Sequence, residues 1–480
     1  MRAAALAGLL SLAPCAFPSA FSVNENGVRA QGMGGAFVSL ADDGTALFFN
    51  PAGIAFQPGS SFDMDSLVVV GLFRFFPSAT PPGYTVPSNG YSGSVKPHFI
   101  PIASMYYTRQ ITQKVTFGFA VFAPFGLAAN FTNFNDSDPA TTKFVGRFAG
   151  SRAALQSFWF QPTVAYRLNE HSAIAIGPAF THTHLFLEES ILNPYDKPDN
   201  FGRSLATLVF PGVDPNVAWA AFARLLPEGR LRAAATANAP AFNIGYIYKN
   251  PEKKFNVGFA WRSSVVNHLT GKASFAFTNT GALAPFFPFG RDLGTEFPNQ
   301  SVKADFVEPG NYQAGFSTNR FFHTLISVDG QVQDYRRFQD LPINFSITHD
   351  SVGRQIGTPA EKRLNFNFVN SWAIHAGVQR NFKWNSEIRM GYMFDHTPVP
   401  DSSAGPLFPD SSRNSFTVGA TQHRGNMDFS FFYQAMFFVD RTTNDPANNY
   451  QFTNGEYRNF AHLAGLGLKM KLGGGGGRTK

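Results

Sequence analysis

From residue 61 onward, apolar and polar side chains alternate in short runs bounded by turn-forming residues, the pattern of strands with two unlike faces. The run 427–440 is the clearest. Met427, Phe429, Phe431, Tyr433, Phe437 and Val439 fall on one face, and Asp428, Ser430, Gln434 and Asp440 on the other. At 386–395, Ile388, Met390, Tyr392 and Phe394 oppose Arg389, Gly391 and Asp395, and two charges on the second face argue against a packed soluble core. Phe416, Val418 and Ala420 likewise oppose Ser415, Thr417, Gly419 and Thr421, and Phe158, Phe160, Val164 and Tyr166 oppose Gln161 and Thr163. An apolar face paired with a small, polar one suits a barrel strand with lipid outside and a wet lumen inside.

The connections between these runs alternate in length. Short turns are expected near Arg109–Lys114, Leu168–His171, Lys249–Lys254, Ser317–Phe322, Asn381–Asn385 and Gln422–Asn426. Long, Pro- and Asn-rich connections are expected near 77–97, 125–155, 190–237, 279–298, 339–364, 397–412 and 442–455. Six short and seven long connections join fourteen strands, an even number with both chain ends on the short-turn side, as outer-membrane barrels require. The fold expected is all-β, a 14-stranded antiparallel transmembrane barrel over 61–472. The Gly-rich 473–480 reads as a disordered tail.

Composition sharpens this. Phe occurs 54 times in 480 residues and charged residues make up 15%, against about 25% in ordinary soluble domains. Yet mean hydropathy is only −0.12, and no mature segment reaches the roughly 18 to 20 apolar residues of a spanning helix. The net charge of +7 is scattered, without a basic run, so nucleic acid is not an expected partner and an anionic lipopolysaccharide leaflet is.

The N-terminus reads as a secretory signal, Arg2 followed by the apolar Ala3–Ala16 and small residues, with cleavage expected after Ala20. Cys15, the single cysteine, leaves with it, so no disulfide or thiol chemistry is expected. Residues 21–60 do not alternate and are too few to bury a core of their own, so the lumen is the natural place for them, as a plug.

Several motifs in and beyond this segment resemble the FadL family, outer-membrane channels for long-chain fatty acids and, in the TodX-like branch, aromatic hydrocarbons. They are Phe21-Ser22-Val23-Asn24-Glu25, Gly32-Met33-Gly34-Gly35-Ala36, Ala41-Asp42-Asp43 and Asn50-Pro51-Ala52-Gly53, followed by Phe122-Ala123-Pro124-Phe125-Gly126-Leu127, Pro162 to Asn169, Trp261-Arg262-Ser263-Ser264, Arg389-Met390-Gly391-Tyr392 and Ala461-His462-Leu463. The resemblance implies a plug with Asn50, Pro51 and Ala52 at the heart of the lumen, with Phe21 and Val23 closing a hydrophobic pocket. It also implies that cargo leaves sideways through the wall at a kinked third strand. Pro124, Phe125 and Gly126 mark that kink, and Phe122 and Leu187 are candidate pocket lining. The kink has its own physics, since Pro and Gly interrupt a strand's donors and regularity.

Asn50-Pro51-Ala52-Gly53 alone is a turn sequence, and its setting in the non-alternating segment favours the plug element. Gly32-Met33-Gly34-Gly35 lacks the strand and acidic residue of a dinucleotide loop, and its glycines suit close approach to the wall. Asp42-Asp43-Gly44 lacks further carboxylates for calcium, so an ion pair with an inward barrel arginine, or a turn, is expected. His182, His184 and Glu188 share spacing for a metal, but rim or lumen polarity explains them as well. No nucleophile elbow is present, so neither catalysis nor a cofactor is expected. In the long loops, Leu283, Phe286, Phe287 and Phe289, with Leu225 and Leu226, could capture cargo or simply pack together. The acidic Leu187-Glu188-Glu189 stands where a fatty-acid carrier would want a cation, which keeps aromatic or alkane cargo beside fatty acids, with Lys303 or Arg262 as substitutes. The function expected is uptake of hydrophobic small molecules by a monomer in a Gram-negative outer membrane. A general porin and a structural or adhesive barrel are the alternatives.

Overall fold

The computed structural model describes residues 20–80, 93–95, 100–131, 143–192, 210–214, 217, 229–277, 293–321, 323–449 and 451–472. Among them fourteen antiparallel strands close into one barrel. They are β1 (Ser60–Pro77), β2 (Ile100–Gln110), β3 (Val115–Asn130), β4 (Arg152–Arg167), β5 (Ser172–Ile191) and β6 (Gly229–Asn250). Four interrupted strands follow: β7 (Phe255–Arg262, resumed at Val265–Phe277), β8 (Gln300–Glu308, resumed at Asn311–Phe321), β9 (Thr324–Gln333, resumed at Asp340–Phe345) and β10 (Glu361–Asn365, resumed at Ser371–Phe382). Then come β11 (Ser386–Asp395), β12 (Arg413–Arg424), β13 (Met427–Phe438) and β14 (Gly455–Leu472). Each strand pairs with the next, and β14 returns to β1 from Ser60 opposite Leu472 to Pro77 opposite Gly455. Pairing of β14 with β1 removes the free edges an open sheet would present to lipid, except where β3 parts from β2.

Alternation becomes geometry. Ile388, Met390, Phe416, Val418, Phe429 and Phe431 are exposed on the outside, while Arg389, Asp395, Thr417 and Gln434 are buried toward the lumen. Some boundaries differ from the sequence expectation. The turn expected over 317–322 comes later, with Phe321 still paired to Thr324. β6 begins at Gly229 inside the expected loop 190–237, because its small-residue stretch Ala233–Ala241 offers too little apolar contrast to be read as alternation. Similarly, Asp340–Phe345 and Glu361–Asn365 are strand inside the expected loop 339–364.

Residues 20–57 lie inside the barrel as two short helices, α1 (Val28–Gly32) and α2 (Ala46–Phe49), and a 3-10 turn (Pro51–Phe56). Their contact with the wall is closest at inward-facing glycines. A Cβ on Gly391 would stand 2.1 Å from the Gly34 nitrogen, on Gly377 2.2 Å from the Met33 carbonyl oxygen, and on Gly258 2.3 Å from that of Val38. Four neighbouring strands also break at one level. Arg262, Asn311, Gln333 and Ser371 stand in one row of the ladder. Beyond that row, residues 263–264, 309–310, 334–339 and 366–370 leave the sheet. Pro309 has no ladder donor to give. On β9 and β10 the interruption carries Tyr335, Phe338, Phe366 and Phe368 into buried positions.

Gly391→Val should therefore dislodge the segment, at a cost of about 1–3 kcal/mol of overpacking. The expected result is tryptic cleavage after Arg29 while the barrel keeps its heat-dependent mobility on gels. A variant as protease-resistant as the parent would refute the close approach.

Candidate functional site

The site begins where the wall is incomplete. The β2–β3 ladder runs from Gln110 opposite Thr116 to Met105 opposite Val121 and stops there. The β3–β4 ladder continues beyond that level after a register shift between Phe122 and Phe125. Ala123 and Pro124 sit in that shift, and Phe125 and Gly126, opposite Ser157 and Gln156, resume the ladder just beyond it. The unpaired edge of β3 is met from inside by the N-terminal segment. Val23 N–H donates to the Pro124 carbonyl (2.7 Å), Gly126 N–H donates to the Phe21 carbonyl (2.8 Å), and Ser22 forms an antiparallel bridge with Phe125. A separate bridge, Val95 to Phe131, spans the same side further out.

Phe21 is fully buried in a cage of rings, with centroids at 5.1 Å (Phe306), 5.2 Å (Tyr335), 5.2 Å (Phe338), 6.0 Å (Phe408) and 6.1 Å (Phe125). Phe366 stacks on Phe338 at 5.1 Å, and Phe368 closes the back. Polar contacts fix the approach: Ser22 Oγ lies 2.7 Å from the Tyr335 hydroxyl, and Gln333 Nε2 donates to Ser22 Oγ (3.0 Å). Burying one Phe is worth roughly 1.5–3 kcal/mol, with more from each well-placed ring pair.

Asn50 lies elsewhere, at a joint between the segment and β6. Its Nδ2 donates to the Val38 and Tyr246 carbonyls (both 2.9 Å), and its Oδ1 accepts from Ala52 N–H (3.2 Å), capping the turn that Pro51 starts. The last carbonyls of α2 are met by inward side chains: Leu47 O accepts from Gln161 Nε2 (2.8 Å) and Asn243 Nδ2 (3.0 Å), and Phe48 O from Arg262 Nη2 (2.7 Å). Arg262 is buried under the Phe48 ring at 4.1 Å, with Phe122 and Trp159 each at 5.7 Å, and has no ion-pair partner among the described residues.

At the short-turn end, Arg29 binds Asp42, Asp43 and Glu387, and Lys249 Nζ donates to the Leu40 carbonyl (2.7 Å). The Asp42-Asp43 pair thus finds its arginine within the segment rather than on the barrel wall, because α1 and the Asp turn fold onto each other. Burial opposes ionisation of Asp42, but the Arg29 guanidinium prevails and holds its carboxyl well below the usual range. A polar cavity of about 510 Å³ opens beside this cluster. Nearer the cage, burial pushes the Glu25 carboxyl up to about 7, against the pull of Arg413.

The structure thus brings Phe21, Val23, Pro124, Phe125 and Gly126 together. Asn50, Pro51 and Ala52 form a second locus, and Phe122 belongs to the Arg262 cluster. Leu187 is half-buried against the core, and its acidic neighbours are neutralised, Glu188 by Arg232 (2.5 Å) and Glu189 by Lys362. Lys303 faces outward, whereas Arg262 faces in. Leu283, Phe286, Phe287 and Phe289, like Leu225, Leu226, all of the expected signal 1–20 but Ala20, and the tail 473–480, lie outside the described residues. Among the described residues, no group of three or more His, Cys, Asp or Glu is placed to hold a metal. Sequence reasoning missed Tyr335, Phe338, Phe366, Phe368 and Phe408. The one available signal was the run of interruptions beginning at Ser263-Ser264 and Pro309-Gly310.

Residues 9–471 match the sequence profile of the family described as Outer membrane protein transport protein (OMPP1/FadL/TodX). No curated protein sequence matches the chain. Among solved structures it is similar to a Pseudomonas aeruginosa FadL homologue, at 16% identity and a TM-score of 0.74 over 95% of this chain and 100% of that one. It is also similar to the monoaromatic hydrocarbon channel CymD (15%, 0.63, over 95% and 99%) and the Pseudomonas putida toluene transporter TodX (13%, 0.63, over 94% and 99%).

Asn50→Ala removes both donations from Asn50 and strands two carbonyls, at a cost of about 1–3 kcal/mol each. The expected outcome is a frequently open barrel, seen as raised ion conductance in a planar bilayer. Parental conductance would show that Asn50 is dispensable for holding the segment.

Proposed function

The chain belongs to the outer membrane protein transport family that includes FadL and TodX, and from that premise we propose that it takes up hydrophobic small molecules through a latch of its own N-terminal residues. The observation that carries this reading is the seating of Phe21 in the aromatic cage while residues 21–23 stitch the open edge of β3. One event then couples binding to opening. A hydrophobic molecule that competes for the cage must expel the Phe21 ring, and the ring takes with it the two hydrogen bonds to Pro124 and Gly126.

The energies are commensurate. Releasing Phe21 costs roughly 1.5–3 kcal/mol and each backbone hydrogen bond about 0.5–1.5 kcal/mol, while cargo regains about 0.8 kcal/mol per buried CH₂. A cargo of about three to eight carbons therefore suffices. Residues 27–57, held at the glycines, Asn50 and Arg29, stay as the plug, and residues 21–26 move. Cargo then leaves sideways between β2 and β3 into the membrane, since the short-turn end is charged and unwelcoming to it.

The same reading places the short turns in the periplasm of a Gram-negative cell, residues 1–20 as an export signal removed on the way, and the barrel as a monomer among outer-membrane lipids. No catalytic step is assigned. The cage favours aromatic or alkyl cargo. Arg262, a buried cation without a carboxylate partner among the described residues, favours a second class, fatty acids, whose head it would bind.

Ser22→Cys with Phe125→Cys, at bridged positions, would lock the latch through a disulfide. Uptake of labelled toluene and oleate by cells lacking their own transporter should fall at least about tenfold in the oxidised variant and return with reductant. Undiminished uptake when locked would refute the latch, and no uptake by well-inserted parent would favour a porin or adhesive barrel. In the same assay, Arg262→Gln should lower oleate uptake alone if fatty acids are the cargo; an equal effect on toluene removes that assignment.

A further inference from the structure

We propose that the outward face of β4–β8, just beyond the apolar belt, is a binding surface for the phosphorylated headgroup of an outer-leaflet glycolipid. The register fixes the layout. Phe180, Pro240, Val266 and Val307 form the last row that is apolar on all of β5, β6, β7 and β8. One pair further out the row turns polar, with His182 bonded to Asn238 (2.8 Å) and His268 paired with Asp305 (2.7 Å). Beyond that fringe stand four cations on successive rows: Lys303 opposite Thr270, Lys272 opposite Ser301, and Arg152 and Arg232 on either side of Glu188.

Their partners do not use up this charge. Glu188 is taken by Arg232 at 2.5 Å, while Arg152 lies over the Phe186 ring at 4.9 Å. Among the described residues Arg152, Lys272 and Lys303 have no ion-pair partner, and all three are exposed. Cross-strand neighbours lie about 5 Å apart and diagonal ones about 7–8 Å, so Lys272 and Lys303, with the Thr270 hydroxyl between them, span one phosphate. The opposite wall shows the contrast, since Phe416 on β12, Phe437 on β13 and Val439 just past β13 are exposed near the outer ends of these strands.

The position argues for a lipid rather than a free anion. Acyl chains attached to the same headgroup would lie on the apolar rows directly beneath, so one amphiphile meets both surfaces. Cations beside a membrane surface each add attraction for anionic lipid, weakened by salt. This inference rests on the outer-membrane placement and not on the nature of the cargo.

The test is native mass spectrometry of the full-length protein in nonionic detergent with bisphosphorylated lipid A, the same lipid dephosphorylated, and inorganic phosphate as competitor. The bisphosphorylated lipid should be retained about tenfold better than its dephosphorylated form. Lys272→Glu with Lys303→Glu should abolish the preference, and Lys272→Arg should keep it, while toluene uptake stays parental in both. If the charge-reversed barrel loses its heat-dependent mobility, Lys272→Gln with Lys303→Gln replaces it. Equal retention of the two lipids, a preference that survives loss of both lysines, or full displacement by millimolar phosphate would overturn the proposal.

Discussion

A backbone N–H or C=O that faces lipid without a partner costs several kcal/mol, and this molecule is organised around that penalty. The penalty demands a closed sheet, and β14 meets β1 over its full length. It also makes the one place where β3 departs from β2 a liability, since ladder groups there lose their strand partner. The N-terminal residues answer it with two backbone hydrogen bonds, at Pro124 and Gly126, around a single bridge from Ser22 to Phe125. The same segment thus completes the wall and fills the aromatic cage.

The same penalty governs the interior. Helices as short as α1 and α2 leave most of their terminal groups unbonded within themselves, so the wall has to supply partners. Gln161, Asn243 and Arg262 do so for α2, and Asp329 accepts from the Val38 N–H (2.7 Å). Glycines on the facing strands let the two backbones approach closely enough for these bonds to form. The two parts of the segment differ in how many such ties they have. Residues 27–57 are tied around the circumference, whereas 21–26 are held chiefly at the cage and the kink.

Several charges in the lumen are paired: Arg413 with Asp395 (3.1 Å), Arg29 with its acids, and Glu189 with Lys362 each cancel within the barrel. Asp329 and Glu308 instead accept hydrogen bonds, from the Val38 N–H and the Thr183 hydroxyl. Arg262 has no carboxylate partner among the described residues. Its guanidinium is held by a single carbonyl and by aromatic faces, and a cation kept in that state remains available to an anionic group.

The sequence alone determined the alternation, the strand number and its parity, because lipid on one side and lumen on the other impose a period of two that every spanning strand must show. Fidelity was poorest where that contrast fades, as in the alanine-rich start of β6, or where a strand breaks and resumes, as in β7–β10. The kink at Pro124 was legible because proline's missing N–H is a local fact. The cage around Phe21 was not, because Phe125, Phe306, Tyr335, Phe338 and Phe408 come from separate strands and a loop, and nothing in their spacing shows that they converge. Likewise the parity of Arg262 and Lys303 could be guessed only within each strand. Which one faced the lumen depended on register across the whole barrel, and register is set by closure, a property that no single stretch of chain possesses.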